Sequence, residues 1–138
     1  MTALLLDTHT WLWYAEGNEE RLPAASVKKL DRARRGDGLR VSSISVWEVG
    51  MLHGKGRVQL SSPLRDWVKK ALAPTGISLL PLDAESAAES TLLPADPHGD
   101  PADRFLIAAA RTHGLILATR DGNILSYGEA GHVRVLEV

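Results

Sequence analysis

Two aspartates follow the ends of short apolar runs. Asp7 comes directly after Ala3–Leu6, and Asp121 comes shortly after Leu115–Ala118. In an open α/β sheet the functional crevice lies outside the carboxyl ends of the strands, so both carboxylates are predicted at one edge of the sheet. Carboxylate oxygens bind hard cations such as Mg²⁺ and Mn²⁺, which offset charge and activate water in phosphodiester hydrolysis. Metal-dependent phosphoryl chemistry is the function that these positions suggest.

Glu48 lies on the apolar side of a second predicted element, the helix Ser45–His53. At about 100° per residue, its side chain falls within a stripe of large apolar residues. That stripe consists of Ile44, Trp47, Met51 and Leu52. An ionised carboxylate on a core-facing stripe is costly unless it is paired or bound to a metal. A salt bridge is the ordinary explanation, and a metal ligand is the alternative.

Asp100 and Asp103 open the predicted helix Pro101–His113. Asp103 falls in line with Leu106 and Ile107, so its carboxylate is predicted to face inwards. Carboxylates that share one crevice repel one another unless divalent cations occupy the centre. The sequence has no cysteine and five scattered histidines, so no zinc-binding pattern is present and Mg²⁺ or Mn²⁺ is expected instead.

Each aspartate also has a structural explanation. Asp7 and Asp100 are good helix N-caps, and Asp103 suits the first turn of a helix. Asp121 followed by Gly122 is a common turn dipeptide. The positions alone therefore leave the catalytic and structural interpretations open.

The composition predicts one compact α/β domain over residues 1–138. Hydrophobic residues make up 44% of the chain, and 16 Lys and Arg balance 17 Asp and Glu, which excludes a chain-wide basic field for binding nucleic acid. Six of the basic residues fall between Lys28 and Arg40, where a solvated helix face is the ordinary explanation and an RNA contact the alternative. The absence of cysteine and of any long apolar run fits a cytoplasmic protein.

Strands and helices are predicted to alternate along the chain, which is typical of a mainly parallel sheet of four or five strands between helices. The predicted strands are Ala3–Leu6, Leu39–Ser42, Ile77–Leu80, Leu115–Ala118 and Val133–Leu136. The predicted helices are Thr10–Ala15, Ala24–Arg35, Ser45–His53, Leu64–Leu72, Ala84–Leu92 and Pro101–His113. Tryptophans 11, 47 and 67 are expected in the core, and Trp13 is expected to be partly exposed.

The order of these acidic motifs resembles the PIN domain, and within it the VapC-type toxins of prokaryotic toxin–antitoxin systems. The motifs are LLLDTHTWLW, VSSISVWEVG, DPADRFLIAAA and LILATRDGNILSYG, and they span nearly the whole chain. The resemblance implies a PIN-like α/β/α sandwich and an endoribonuclease that depends on Mg²⁺ or Mn²⁺. It also implies a cognate antitoxin that covers the acidic site, and a toxin homodimer.

The resemblance assigns roles to individual residues. The acidic quartet of catalytic and metal-binding residues corresponds to Asp7, Glu48, Asp103 and Asp121. Asp100 matches the additional acid of a DPxDR subset, either as a metal ligand or as a helix cap. Thr8 and Thr119 match the flanking positions, where a hydroxyl would support the carboxylates. Trp13 is the predicted apolar contact for the antitoxin, and a purely core role is its alternative.

Two other functions remain open. A Mg²⁺-dependent phosphoacceptor domain also combines an α/β sheet with clustered acids, but it needs adjacent acids after the first strand, where this chain has Thr8 and His9. A catalytically silent PIN-fold module that only binds a partner protein would be expected to have lost an acid, and none is missing.

Overall fold

The computed structural model describes residues 2–97 and 100–138, so His98 and Gly99 of the predicted loop Leu93–Gly99 lie outside it. The described strands are β1 Leu4–Leu6, β2 Leu39–Ser42, β3 Ile77–Leu80, β4 Ile116–Thr119 and β5 Val135–Glu137. The described helices are α1 Thr8–Glu16, α2 Ala24–Arg35, α3 Ser43–Gly54, α4 Leu64–Leu72, α5 Ala84–Ser90, α6 Pro101–His113 and α7 Gly122–Glu129. The predicted alternation of strands and helices is confirmed.

The five strands form one sheet in the order β3-β2-β1-β4-β5, and every neighbouring pair is parallel. The chain builds one half of the sheet outwards from β1 through β2 to β3, and then crosses to the other side of β1 to add β4 and β5. The order of strands therefore reverses between β1 and β4. The carboxyl ends of these two strands border the crevice where parallel α/β sheets bind ligands.

Alternate side chains of the strands enter two separate cores. Leu4 and Leu6 of β1 belong to one core together with buried residues of α1, α2, α3 and α4, whereas Leu5 belongs to the other core with residues of α6 and α7. This alternation follows from the period of two along a strand, and it gives the sheet a layer of helices on each face. The expected α/β/α sandwich is confirmed.

Helix α7 is not among the predicted helices. Asp121 and Gly122 have the sequence of a common turn, but the Asp121 carboxylate caps a helix by accepting hydrogen bonds from the backbone N–H groups of Asn123 and Ile124. The helix is held in place because Ile124 and Tyr127, one turn apart, are both buried.

The orientation predicted for α3 was wrong. Trp47 is 54% exposed and Met51 is 39% exposed, whereas Ser45 and Val49 form the buried side of the helix. Small side chains let α3 pack closely, because a Cβ added at Gly50 would lie 3.3 Å from a methyl group of Leu64. The helix is therefore turned so that its smaller residues face inwards. Trp11 and Trp67 are buried as predicted, and their rings meet edge to face 5.0 Å apart.

No helix in the described ranges is both long enough and apolar enough to span a bilayer.

Candidate active site

A cavity of about 510 Å³ lies at the carboxyl ends of β1 and β4, where the order of strands reverses, and all the predicted acids line it. They are Asp7, Glu48, Asp100, Asp103 and Asp121. Asp7 follows β1 and Asp121 follows β4, so the two central strands carry their carboxylates to the same edge. Glu48 comes from α3, and the remaining two acids come from the start of α6. Elements from both faces of the sheet therefore converge on one crevice.

Thr119 joins the two strand-end aspartates. Its buried hydroxyl donates a short hydrogen bond to Oδ2 of Asp7. The hydroxyl oxygen of Thr119 in turn accepts a hydrogen bond of 2.9 Å from the backbone N–H of Asp121. The register brings this about, because Leu6 of β1 pairs with Ala118, the residue before Thr119. The predicted supporting position of Thr119 thus contacts two of the acids directly.

Three of the acids are also helix caps. Oδ1 of Asp7 accepts a hydrogen bond of 2.7 Å from the backbone N–H of Thr10, and Oδ1 of Asp100 accepts one of 2.9 Å from that of Asp103. Asp121 caps α7 in the same way, again through Oδ1. Each carboxylate oxygen has two lone pairs, so a cap fixes the direction of the carboxylate and still leaves it able to bind an ion. This holds also for Asp7, whose Oδ2 accepts a hydrogen bond from Thr119.

Glu48 lies at the edge of the buried side of α3, which is centred near Ser45 and Val49 rather than on the predicted stripe. Oε1 of Glu48 is buried and has no hydrogen-bond partner among the described residues. Burial raises the pKa of this carboxyl group, the charge of Asp100 raises it further, and the hydroxyl of Thr8 opposes the rise. The salt bridge that would explain a buried glutamate is not found in the described part of the chain.

Thr8 itself donates a hydrogen bond of 2.9 Å to the hydroxyl of Ser45, which ties α1 to α3.

Asp103 is the acid most affected by the others. Burial first, and then the charges of four neighbouring carboxylates, together raise the pKa of Asp103 from 3.8 to about 7. In descending order these belong to Asp100, Asp121, Glu48 and Asp7. Repulsion of this kind disappears when a cation occupies the space between the carboxylates.

The raised pKa of Asp103 predicts that this residue destabilises the metal-free fold increasingly as pH rises. The folded chain holds the proton more tightly than the unfolded chain, so this contribution to stability falls as pH passes from 3.8 through about 7. In EDTA, Asp103→Asn should therefore raise the melting temperature more at pH 8 than at pH 5. Comparing the variant with the wild type cancels the titration of groups outside the cavity, which is the same in both proteins. A difference in melting temperature that does not change with pH would contradict the assigned cause.

The cavity suits a hard divalent cation by its donor chemistry. Its ligating groups are carboxylate oxygens with nearby hydroxyls, and buried Glu48 Oε1 lacks a partner that an ion would supply. Among residues 2–97 and 100–138, no three acidic or histidine side chains are already arranged as a complete set of ligands. The residues that line the cavity therefore fit Mg²⁺ or Mn²⁺ in the type of donor atom, and their identity as ligands stays a prediction.

Sequence reasoning missed the basic residues of this cavity. Arg21 and Arg57 line it together with Asn18 and come from loops that carry no recognisable motif, whereas Arg120 lines it from within the motif that contains Asp121. His9 is exposed and lines it too. A larger cavity of about 1030 Å³ lies at the opposite end of β4 and β5, and none of the predicted site residues lines it. Size alone would have selected the wrong site.

The acidic motifs predicted this arrangement. The sheet is all-parallel, and aspartates that follow β1 and β4 or begin α6 meet a glutamate of α3 at the point where the order of strands reverses. The chain belongs to the PIN domain family, whose sequence profile matches residues 4–130.

Individual relatives refine this assignment. The chain is 32% identical over 127 residues to Ribonuclease VapC22 of Mycobacterium tuberculosis, a match that covers 92% of this chain and 93% of the relative. Among solved structures, VapBC2 of Rickettsia felis bound to a promoter DNA fragment superposes with a TM-score of 0.71 at 12% identity, covering 97% of both chains. DNA-bound VapBC of Salmonella typhimurium gives 0.68 at 18% identity, covering 99% of this chain and 98% of that one. At these identities the two structures establish the shared fold.

Proposed function

We propose that this protein is an endoribonuclease that hydrolyses RNA phosphodiester bonds with Mg²⁺ or Mn²⁺, and that it is the toxin of a toxin–antitoxin pair. The observation that carries the proposal is the convergence of five carboxylates on one cavity at the reversal point of a PIN-domain sheet. The relative that covers nearly the whole chain is named a ribonuclease. No acid of the predicted quartet is missing, which favours an active enzyme over a silent binding module.

Asp7, Glu48, Asp103 and Asp121 would hold the metal, and Asp100 is an additional ligand in the proposal. When bound, the cation lowers the pKa of water and offsets negative charge at phosphorus. The chain's own residues contribute by holding the carboxylates in fixed positions. The hydrogen bonds of Thr119 hold Asp7 and Asp121 in a fixed relation, and the three caps fix the carboxylates on the ends of rigid elements.

The products of cleavage are expected to end in a 3′-hydroxyl and a 5′-phosphate. A metal ion held by the acids would activate water for direct attack on phosphorus, so the ribose 2′-hydroxyl would take no part. The ends can be identified by labelling and mass spectrometry after incubating single-stranded RNA with the protein and Mg²⁺, and EDTA is expected to abolish the reaction. Cleavage that persists in EDTA, or 2′,3′-cyclic phosphate ends, would contradict the mechanism.

An antitoxin is expected to cover the acidic cavity. A cluster of carboxylates attracts an inserted Arg or Lys, which would form charge-assisted hydrogen bonds and take the place of the metal's charge. Trp13 is proposed as an apolar contact for this partner. Its side chain is half-buried: it packs against the core and also lines the cavity. Trp13 is therefore neither purely a core residue nor purely an exposed contact for a partner. A homodimer stays a prediction as well.

Inhibition by the antitoxin is expected to weaken as Mg²⁺ rises, because the inserted cation and the metal compete for the same carboxylates. The inhibition constant of the cognate antitoxin, sought as the product of the adjoining reading frame, should be measured at several Mg²⁺ concentrations and constant ionic strength. Trp13→Ala should raise that constant, with thermal stability measured alongside because the residue also packs against the core. An inhibition constant independent of Mg²⁺ would place the antitoxin away from the acids.

A further inference from the structure

The acidic cavity continues past Trp13 into a second cavity of about 420 Å³. The two cavities share four of their lining residues, Leu12, Trp13, Asn18 and Val58. Trp13 therefore lies where one cavity passes into the other. Two neighbouring cavities suit an extended chain better than a compact ligand.

His9 and Trp13 present a pair of aromatic rings at this junction. They lie one turn apart on α1, with ring centroids 5.7 Å apart and planes inclined at 48°. His9 is exposed, and Trp13 keeps part of its side chain accessible because only one side packs against the core. Unpaired RNA bases stack on exposed aromatic rings of this kind, and every base has a face that can do so.

Arg21 and Arg57 supply positive charge at the same cavity. Both side chains are exposed, and neither guanidinium group forms a hydrogen bond or ion pair with any residue in the described ranges, although five carboxylates line the same cavity. Arg120 differs, because its guanidinium donates a hydrogen bond of 2.6 Å to the backbone oxygen of Val138. A polyanion that approaches a group of carboxylates needs cations to hold its phosphates. Arg21 and Arg57 are free to do so.

We infer that His9, Trp13, Arg21 and Arg57 form a binding surface for single-stranded RNA beside the acids, here called the Trp13 surface. A base next to the scissile phosphate stacks on the two rings, and neighbouring phosphates bind the two arginines. The inference rests on the proposed ribonuclease function and adds a basis for substrate choice. A base in a duplex has its faces covered by its neighbours, so the Trp13 surface selects unpaired RNA.

Cleavage kinetics with abasic RNA test the stacking contact. The substrates are a single-stranded RNA that the protein cuts at one position and copies that lack one base near that position. One abasic copy should raise KM about tenfold or more for the wild type, the size of effect expected for one lost base stack. Trp13→Ala should raise KM for the intact RNA by a similar factor with kcat little changed, and the same abasic copy should then bring no further loss.

Three other variants separate stacking from structural damage. His9→Ala removes an exposed ring with no core contact, so it should also raise KM without lowering the melting temperature. Trp13→Phe keeps a stacking ring and should restore most of the affinity. Trp47→Ala removes another exposed tryptophan that lines neither cavity, and it should leave KM unchanged.

Salt dependence tests the arginines. Arg21→Ala and Arg57→Ala should each reduce the slope of log KM against log salt concentration by about 0.7, the value for one phosphate contact of a single strand. Arg65→Ala, at an exposed arginine on α4 outside both cavities and outside the basic run from Lys28 to Arg40, is the matched control and should leave the slope unchanged.

RNA binding measured by fluorescence anisotropy in EDTA separates the inference from the nuclease function. A wild type that cuts RNA with a KM indifferent to Trp13→Ala, His9→Ala and the abasic copies overturns the Trp13 surface and leaves the nuclease function intact. A wild type that cuts no RNA but binds it with the predicted base and ring dependence supports the surface and refutes the nuclease. Loss of antitoxin affinity in Trp13→Ala with RNA binding unchanged would assign the rings to the protein partner, which also overturns the inference.

Discussion

Asp7→Asn and Asp121→Asn are each expected to lower the rate of RNA cleavage at least about 100-fold, the scale on which loss of one preorganised electrostatic group acts. Each substitution removes one negative charge from the cavity while keeping the size of the side chain. Asparagine caps helices as well as aspartate does, so the amide oxygen can still accept the capping hydrogen bonds that Asp7 and Asp121 accept through Oδ1. At Asp121 the loss therefore falls on the chemistry and not on the fold. At Asp7 the amide nitrogen takes the place of Oδ2, so the hydrogen bond from Thr119 is lost as well, and Asp121→Asn is the cleaner test. Single-turnover cleavage of labelled RNA at saturating Mg²⁺ measures the effect.

A matched control is available at the start of α5. Asp83 is the N-cap residue of that helix and lies outside the acidic cavity, so Asp83→Asn should leave the rate unchanged. The melting temperature of Asp121→Asn should stay within about 5 °C of the wild type, which corresponds to a change of about 1 kcal/mol, whereas Asp7→Asn should melt lower because it also loses the hydrogen bond from Thr119. A variant at Asp7 or Asp121 that keeps full activity would remove that residue from the catalytic set.

Thr119→Val is the second substitution with a large expected effect. Valine has the shape of threonine but cannot donate to Asp7 or accept from the backbone N–H of Asp121, so both contacts are lost together. Supporting hydrogen bonds behind metal ligands are typically worth about 10- to 100-fold in activity or metal affinity. The free energy of unfolding should also fall by about 1 to 3 kcal/mol, because polar groups near the buried Thr119 lose their partner.

Thr119→Ser keeps the hydroxyl and should restore most of the activity, which separates loss of the hydrogen bonds from loss of packing. Cleavage rates should be compared well below the melting temperature of each variant, together with the Mg²⁺ concentration that gives half the maximal rate. The valine variant should need more Mg²⁺. If its rate and Mg²⁺ requirement match those of the wild type, Thr119 does not position the acids.

The sequence was sufficient to predict where the acids meet, because Asp7 and Asp121 follow strands and strand ends of a parallel sheet share one edge. Helical phase placed Asp103 correctly in line with the buried residues Leu106 and Ile107. The same method gave the wrong side for α3. Phase analysis weights large apolar residues, whereas close helix packing buried the small ones, Ser45 and Val49.

The remainder of the site depends on contacts between distant parts of the chain. Thr119 and Asp7 are 112 positions apart in sequence, and only the pairing of β1 with β4 brings the hydroxyl to the carboxylate. Arg21 and Arg57 come from loops with no periodic pattern, so the fold alone places them beside the acids. Asp121 shows a further limit, because a turn dipeptide and the start of a helix look the same until Ile124 and Tyr127 are seen to pack.

The location of bound metal tests the central claim most directly. Crystals soaked in Mn²⁺ and measured at the manganese absorption edge would show an anomalous peak wherever the ion binds. We predict a peak in the cavity between Asp7, Asp103 and Asp121, within coordinating distance of Glu48 or a water that it holds, and its loss in crystals of Asp7→Asn. A protein that cuts RNA in Mn²⁺ but shows its only manganese peak outside this cavity would contradict the account.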